Sequence, residues 1–288
     1  VLFTGNDCVK AVILNRPRKL NSLKHEMISQ ISKNLRLYEN NSELKLVILK
    51  ANGKAFCAGG DVVSVITSSL SGRWTYPVLF YKKQLTLDHL IATYKKPMVS
   101  IIDGAVMGGG GAGLSMNTTF RIVTERAVFA MPEASIGLFP DVGANYFLSR
   151  LPGYFANCDD NLNLKVTREY LGLTGARLHG PEIAACGLAT HFVPSMIRKG
   201  RVENIEQCLY RDYNTASHFI RRAITNDFYE GSRAYIFDKD NQPKWEPSKL
   251  ELVTEEMVDI FFSNVDDDEW EPLQFPDRSH SQIVRHGM

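Results

Sequence analysis

Apolar positions along this chain repeat with two different periods, and the mixture changes past the midpoint. Cys8 to Asn15 (CVKAVILN) reads as a strand, ended by Arg16-Pro17 because proline cannot donate to a ladder. Ile28, Ile31, Leu35 and Tyr38 then recur at helical spacing and predict an amphipathic helix. Leu44 to Ala51 (LKLVILKA) is nearly continuous in apolar residues, the pattern of a strand covered on both faces. A helical stretch over 78–94 leads into a second such strand, Met98 to Asp103 (MVSIID). A short helix is expected after the glycines that follow, then strands near Arg121–Val123 and Ala127–Met131. Alternation of this kind predicts an α/β layered core.

The second half is mainly helical. Val202, Ile205, Leu209, Tyr213, Ala216, Ile220 and Ala223 trace one face of a long helix. Ser248-Lys249-Leu250-Glu251 has the form of a capping box opening another helix that runs to about Phe262. The acidic run Asp266–Glu269 reads as solvated tail. No internal repeat and no low-complexity linker interrupts the chain, so the division expected is a core over 1–194 and a helical region over 195–288.

Composition narrows the function classes. Lys+Arg 33 against Asp+Glu 32 leaves a formal net charge of +1, so no global field favours nucleic acid or a membrane surface. The 5 cysteines, Cys8, Cys57, Cys158, Cys186 and Cys208, form no C-x-x-C pair, which argues against a disulfide scaffold and for a reducing compartment. The 7 histidines show no metal-ligand spacing, and His191 reads as a packed histidine, so no metal is expected. No apolar run approaches the roughly 20 residues that cross a bilayer.

The chemistry concentrates in three segments. Ala55-Phe56-Cys57-Ala58-Gly59-Gly60-Asp61 and Met107-Gly108-Gly109-Gly110-Gly111-Ala112-Gly113 each follow a strand-like run. Glycine lets backbone N–H groups approach a ligand closely, and two such turns can aim two donors at one oxygen as it becomes an oxyanion. Gly108-x-Gly110-x-x-Gly113 also matches a dinucleotide fingerprint, with Glu125 near the place of a ribose-binding acid. A run of four glycines satisfies almost any glycine pattern, however, and that reading leaves AFCAGGD unexplained. Neither a phosphate-binding G-x-x-x-x-G-K-[ST] nor a G-x-S-x-G nucleophile elbow is present. The third segment, Ala130 to Gly143 (AMPEASIGLFPDVG), is too heavily punctuated by proline and glycine for one helix and predicts loop and turn. Glu133 and Asp141 are its only acids, and a carboxylate desolvated by such neighbours gains proton affinity and can act as acid or base.

Together, Asn15-Arg16-Pro17 with Leu20-Asn21-Ser22-Leu23, AFCAGGD and MGGGGAGLS resemble the crotonase (enoyl-CoA hydratase/isomerase) superfamily over about Val9 to Pro194. FAMPEASIGLFPDVGANYFLSRLPG, the later Gly-Leu-Ala-Thr-His-Phe-Val-Pro and Lys244-Trp245-Glu246-Pro247 are similar to its 3-hydroxyisobutyryl-CoA hydrolase branch, plant hydrolase-like members included. The resemblance implies a crotonase-like (ββα) spiral core and an acyl-CoA thioester substrate from valine catabolism, with CoA as part of the substrate and no separate cofactor. It places the thioester oxygen between the N–H of Gly60 and that of Gly109 or Gly110, since this chain carries one residue more here than the family pattern. Glu133 and Asp141 match the hydrolase carboxylates, the first attacking the carbonyl or activating water, the second handling the proton or the substrate hydroxyl. Gln84, Asp61, Leu20 and Ser22 are implied substrate contacts. The glutamate that hydratases carry after their glycines is matched by Ala112 or Gly113, which disfavours hydration.

The chain departs from the family at Lys83-Gln84, where the hydrolases have an acidic position, and at 156–168, a polar insertion. It departs again where Pro194-Ser195-Met196 runs at once into Ile197-Arg198-Lys199-Gly200-Arg201 and a helical segment is missing. These departures motivate a second expectation, a crotonase-fold CoA-thioester binder with weak or no turnover. Homo-oligomers and a mitochondrial or peroxisomal address are implied by the family alone.

Overall fold

The computed structural model describes residues 1–124, 126–150, 174–179, 203–248, 252–267 and 270–276. Strand β1 (Leu2–Gly5) runs antiparallel to β2 (Val9–Leu14), which pairs in parallel with β3 (Leu46–Ala51). Parallel pairing continues through β5 (Met98–Ile102) to β7 (Phe120–Val123), so the larger sheet orders β1-β2-β3-β5-β7. The apolar runs around β3 and β5 are its centre, as their near-continuous hydrophobicity predicts.

A few residues after each of β3, β5 and β7 comes a strand of only three residues: β4 (Ala55–Cys57), β6 (Ala105–Met107) and β8 (Val128–Ala130). These leave the larger sheet and form a second one, closed by β9 (Leu178–His179) antiparallel to β8. The backbone thus climbs in turns of strand, short strand and helix. The α/β core expected from sequence is present, but β4 and β6 intervene between the long strands and the glycines. Three residues are too few to display a period of two, which is why β4 and β6 were not legible, whereas β8 falls within the strand expected near Ala127–Met131.

Helix α1 (His25–Asn40) buries Met27, Ile28, Ile31 and Leu35. Next come α2 (Val62–Leu70) and α3 (Thr75–Ala92). Helix α4 (Gly108–Met116) begins with the glycines themselves rather than after them. Past α5 (Ala144–Arg150), the long helix α6 (Ile205–Arg221) opens on a capping box of Asn204 and Gln207 and packs along α3. Two shorter helices follow, α7 (Asp227–Ser232) and α8 (Glu255–Phe262).

The start of α8 corrects the sequence expectation. Its N-cap is Thr254, whose hydroxyl accepts from Met257 N, and not Ser248; residues 249–251 lie outside the described residues. The acidic run is not all solvated tail either, because Asp267 pairs with Arg221 of α6 at 2.5 Å. One cluster of buried apolar side chains runs from Val12 to Leu273, joining the strand-rich part to α6 and α8.

Candidate active site

Strands β4, β6 and β8 lie side by side in parallel, with Ala55 beside Ala105 and Met107 beside Ala130. Their C-terminal ends therefore share one edge of the second sheet. The chain leaving those ends delivers Gly60, Gly109 and Glu133 to a common place, outside the carboxyl ends of parallel strands where α/β proteins bind ligands. A cavity of about 90 Å³ opens there, lined by Gly60, Phe80, Gln84, Gly109, Glu133 and Asp141 among others. Sequence reasoning named five of these six; Phe80 is the addition.

Each glycine segment contributes a donor. Around Gly60 the backbone is pinned to Leu23, with Leu23 N donating to Gly59 O at 2.8 Å and Asp61 N to Leu23 O at 2.9 Å. The Gly60 N–H itself has no hydrogen bond among the described residues. In α4 the first N–H groups lack intrahelical acceptors, and that of Gly109 donates to Glu133 Oε1 at 2.5 Å. A side chain at Gly109 is excluded, since its Cβ would lie 2.0 Å from Asp141 Oδ1. A Cβ at Gly110 would lie 2.7 Å from the Gly59–Gly60 peptide. The four-glycine run thus lets one helix start meet a carboxylate on one side and the other donor loop on the next.

Glu133 sits in a 3-10 turn, Pro132–Ile136, at the end of β8, within the stretch expected to be loop and turn. It is buried, and its Oε2 has no hydrogen-bond partner among the described residues. Burial pushes its pKa up to about 7, against the opposing hydrogen bonds from its own backbone and Gly109 N–H. Asp141 is also buried, and its proton affinity lies well above the ordinary carboxylate range. Desolvation is the largest cause, the neighbouring Glu133 the next, and a hydrogen bond with the Tyr81 hydroxyl opposes both. Tyr81 is itself shifted upward by burial and by Asp141.

Gln84, on α3, is buried at the cavity wall with its Nε2 unpartnered among the described residues. The other three implied substrate contacts do not line the cavity. Leu20 is exposed with φ +49°; Ser22 and Asp61 are gathered by Arg16, whose Nη1 donates to Ser22 Oγ at 3.1 Å and Asp61 Oδ2 at 2.8 Å. Asp61 also caps α2 by accepting from Ser64 N. At the position matched to the hydratase glutamate, Ala112 is fully buried, and a Cβ on Gly113 would lie 2.8 Å from Asp88 Oδ1.

Two further carboxylates escaped the sequence reading. Asp88, one turn beyond Gln84 on α3, is fully buried with neither oxygen hydrogen-bonded among the described residues. Its lodging among Leu85, Leu87, Leu90 and Ile91 was a usable signal, the same one that marks Glu133. Asp212, on α6, accepts from Gly143 N at 2.8 Å and from Asn145 Nδ2 at 2.5 Å. It follows Arg211 in a helix of mixed polarity, and nothing local distinguishes it from a surface acid. Among the described residues no cluster of histidine, cysteine and acidic side chains could hold a metal. No helix described is long and apolar enough to cross a membrane. Cys8, Cys57 and Cys208 are free thiols. Glu125, Cys158, Cys186, His191, the 156–168 insertion and the 195–201 junction lie outside the described residues.

Known proteins agree with this architecture. The enoyl-CoA hydratase/isomerase family model matches in two pieces, residues 9–198 and 195–262. Probable 3-hydroxyisobutyryl-CoA hydrolase 3 of Arabidopsis thaliana is 37% identical over 380 aligned positions, covering 99% of this chain and 97% of the relative. A chain of 288 residues fills at most 288 of those 380 positions, so at least 92 face no residue here. The family match breaks at 195–198, where the sequence had pointed to a missing segment. A mitochondrial 3-hydroxyisobutyryl-CoA hydrolase of Xenopus laevis is 34% identical, covering 92% of this chain and 89% of the relative. Small ribosomal subunit protein mS47 of Arabidopsis thaliana is 31% identical, covering 96% and 88%. Among solved structures, a carnitinyl-CoA dehydratase from Mycobacterium thermoresistibile superposes with a TM-score of 0.77 at 26% identity, covering 95% of this chain and 98% of that one. The chain therefore belongs to the enoyl-CoA hydratase/isomerase family, in its 3-hydroxyisobutyryl-CoA hydrolase branch.

Proposed function

We propose that this protein hydrolyses a short 3-hydroxyacyl-CoA thioester, 3-hydroxyisobutyryl-CoA in the first instance. The observation that carries the reading is Glu133, buried beside Asp141, with one carboxylate oxygen on the Gly109 N–H and the other unpartnered. In this mechanism the thioester oxygen takes the N–H groups of Gly60 and Gly109, displacing Glu133 from the latter. Those donors stabilise the charge that develops as the carbonyl carbon becomes tetrahedral. The freed Glu133 carboxylate either attacks that carbon or takes a proton from the water that does. The carbon–sulfur bond breaks, and the departing thiolate receives the proton held on Asp141. In the nucleophilic form, water then cleaves the glutamyl anhydride and one of its protons returns to Asp141; in the general-base form, the proton Glu133 took from water passes to Asp141. No metal or separate cofactor enters the scheme.

A cavity of about 90 Å³ supports a short acyl group. An engineered cavity of about 150 Å³ is what holds benzene. The unpartnered Gln84 amide is the group proposed to bind the substrate hydroxyl, a role it fills without charge. Mitochondrial relatives make a mitochondrial site the favoured address.

Thiol release from 3-hydroxyisobutyryl-CoA tests the reading. Wild type is expected to turn over, and Glu133→Gln to lose on the order of 10²–10⁴-fold, the range for a positioned acid–base group. Unchanged release in that variant removes Glu133 from the mechanism. Label from ¹⁸O-water found in Glu133 after a single turnover establishes the nucleophilic form with the anhydride opened at its glutamyl carbonyl, and trapping of the anhydride by hydroxylamine identifies that form whichever carbonyl water attacks. A second reading, a thioester binder without turnover, is favoured by the Gly109 donor being already taken in the free site and by the ribosomal relative. Tight acyl-CoA binding with no release by folded protein selects it.

A further inference from the structure

Asp141 is followed by a turn that one of its residues, Val142, disfavours. Val142 has φ +55° and Gly143 φ +80°. A β-branched residue in the left-handed region is a conformational outlier that persists only when surrounding structure imposes it. Val142 is buried and fills the space beside Gly109 and Gly113, its methyl carbons 2.8 Å from the Cβ positions those glycines lack. Asp141 lies against the same face of α4, so turn and helix are matched residue by residue.

What holds the turn comes from far along the chain. Asp212 of α6 is buried, and its two oxygens accept from Gly143 N and Asn145 Nδ2, one and three residues after the strained Val142. A single carboxylate takes both donors, while within the turn Ala144 N donates to Asp141 O at 3.0 Å. Arg211, beside Asp212, is engaged by Glu203.

We infer that Asp212 is a positioning residue: its carboxylate braces the Val142–Gly143 turn and so sets where the Asp141 carboxyl meets the cavity. A second consequence follows from charge. Asp141 faces Glu133 from the turn after β8, Tyr81 and Asp88 from α3, and Asp212 with Arg211 from α6. An ionised Asp212 opposes ionisation of Asp141 and helps it keep the proton that a leaving thiolate needs. The effect on rate rests on the thioesterase reading, whereas the effect on Asp141 itself does not.

The test compares wild type, Asp212→Asn and Asn145→Ala by two measurements. One is the ¹³C-carboxyl titration of Asp141, assigned by its loss in Asp141→Asn; the other is thiol release from 3-hydroxyisobutyryl-CoA. Asp212→Asn is expected to move the Asp141 midpoint to lower pH and to cut kcat on the order of tenfold to a hundredfold, with KM little changed, as for a sub-ångström misplacement of a reacting group. Asn145→Ala keeps the charge and removes one donor, so kcat falls less and the midpoint does not move down. A folded Asp212→Asn with a wild-type midpoint overturns the inference, whether or not its rate drops. Should Asp212→Asn not fold, unaltered kcat in Asn145→Ala overturns it instead. Wild type that releases no thiol sinks the thioesterase reading alone, and the titration then decides the role of Asp212.

Discussion

Asp88 is placed where its charged form is costly. A buried carboxylate with no partner is expensive to ionise, so burial pushes its proton affinity well above the ordinary range, and Asp141 and Asp212 add to the shift. The sign for stability follows from linkage. The folded state holds this proton where the unfolded state has lost it, so stability falls as pH rises above the ordinary carboxylate range. Asp88→Asn, which mimics the neutral acid, should therefore raise the melting temperature, and by more at pH 8 than at pH 5. An equal gain at both pH values would mean that Asp88 is ionised in the folded protein. In the proposed mechanism Glu133 carries the opposite kind of requirement, since there it acts as the ionised carboxylate. With its pKa pushed up to about 7, the rate of thiol release should climb through neutral pH. A rate already at its plateau at pH 5 would show the group to be an ordinary acid. Both carboxyls were accessible to sequence reasoning, because an acid embedded in apolar residues is visible in one dimension; only Glu133 stood between prolines and glycines that drew attention to it.

Helix α4 shows what an element contributes that no single residue does. Four glycines are poor helix formers, yet here they begin a helix because its first turns are pressed against other groups. Glu133, Asp141 and Val142 pack on one side, and the Gly59–Gly60 peptide on another. Gly109→Ala puts a methyl group where Asp141 Oδ1 sits, so it should cost about 1–3 kcal/mol in stability and most of the activity. Chemical denaturation with parallel thiol-release assays checks this, and a well-folded, active Gly109→Ala would refute the packing described. The sequence carried the glycines and the strands that precede them, but not the register. That β4, β6 and β8 end level with one another is a property of pairings between residues dozens of positions apart.

At the scale of the whole molecule, α6 ties the helical part to the site. Phe219 stacks on Phe139, in the segment leading to Asp141, with ring centroids 5.6 Å apart, and on Phe261 of α8 at 4.3 Å. Phe219→Ala removes the middle ring of three and should cost about 3–5 kcal/mol. Its thiol-release rate should fall as well, since the same helix carries Asp212. Loss of stability with an unaltered rate in the surviving folded fraction would uncouple the stack from the site.

The family, the α/β alternation and the carboxylate pair were written in the one-dimensional pattern, because motifs, hydrophobic period and isolated acids are local properties of a chain. The same local logic located the break at 195–198, where the family match divides. Only the tertiary structure decided that Gly60, Gly109, Glu133, Asp141 and Gln84 line one cavity while Leu20, Ser22 and Asp61 stand apart around Arg16. It alone brought Asp88 and Asp212 to the same carboxylates. The reason is physical: burial and proximity between distant residues set both the donors a group meets and the cost of its charge, and neither is a function of sequence spacing.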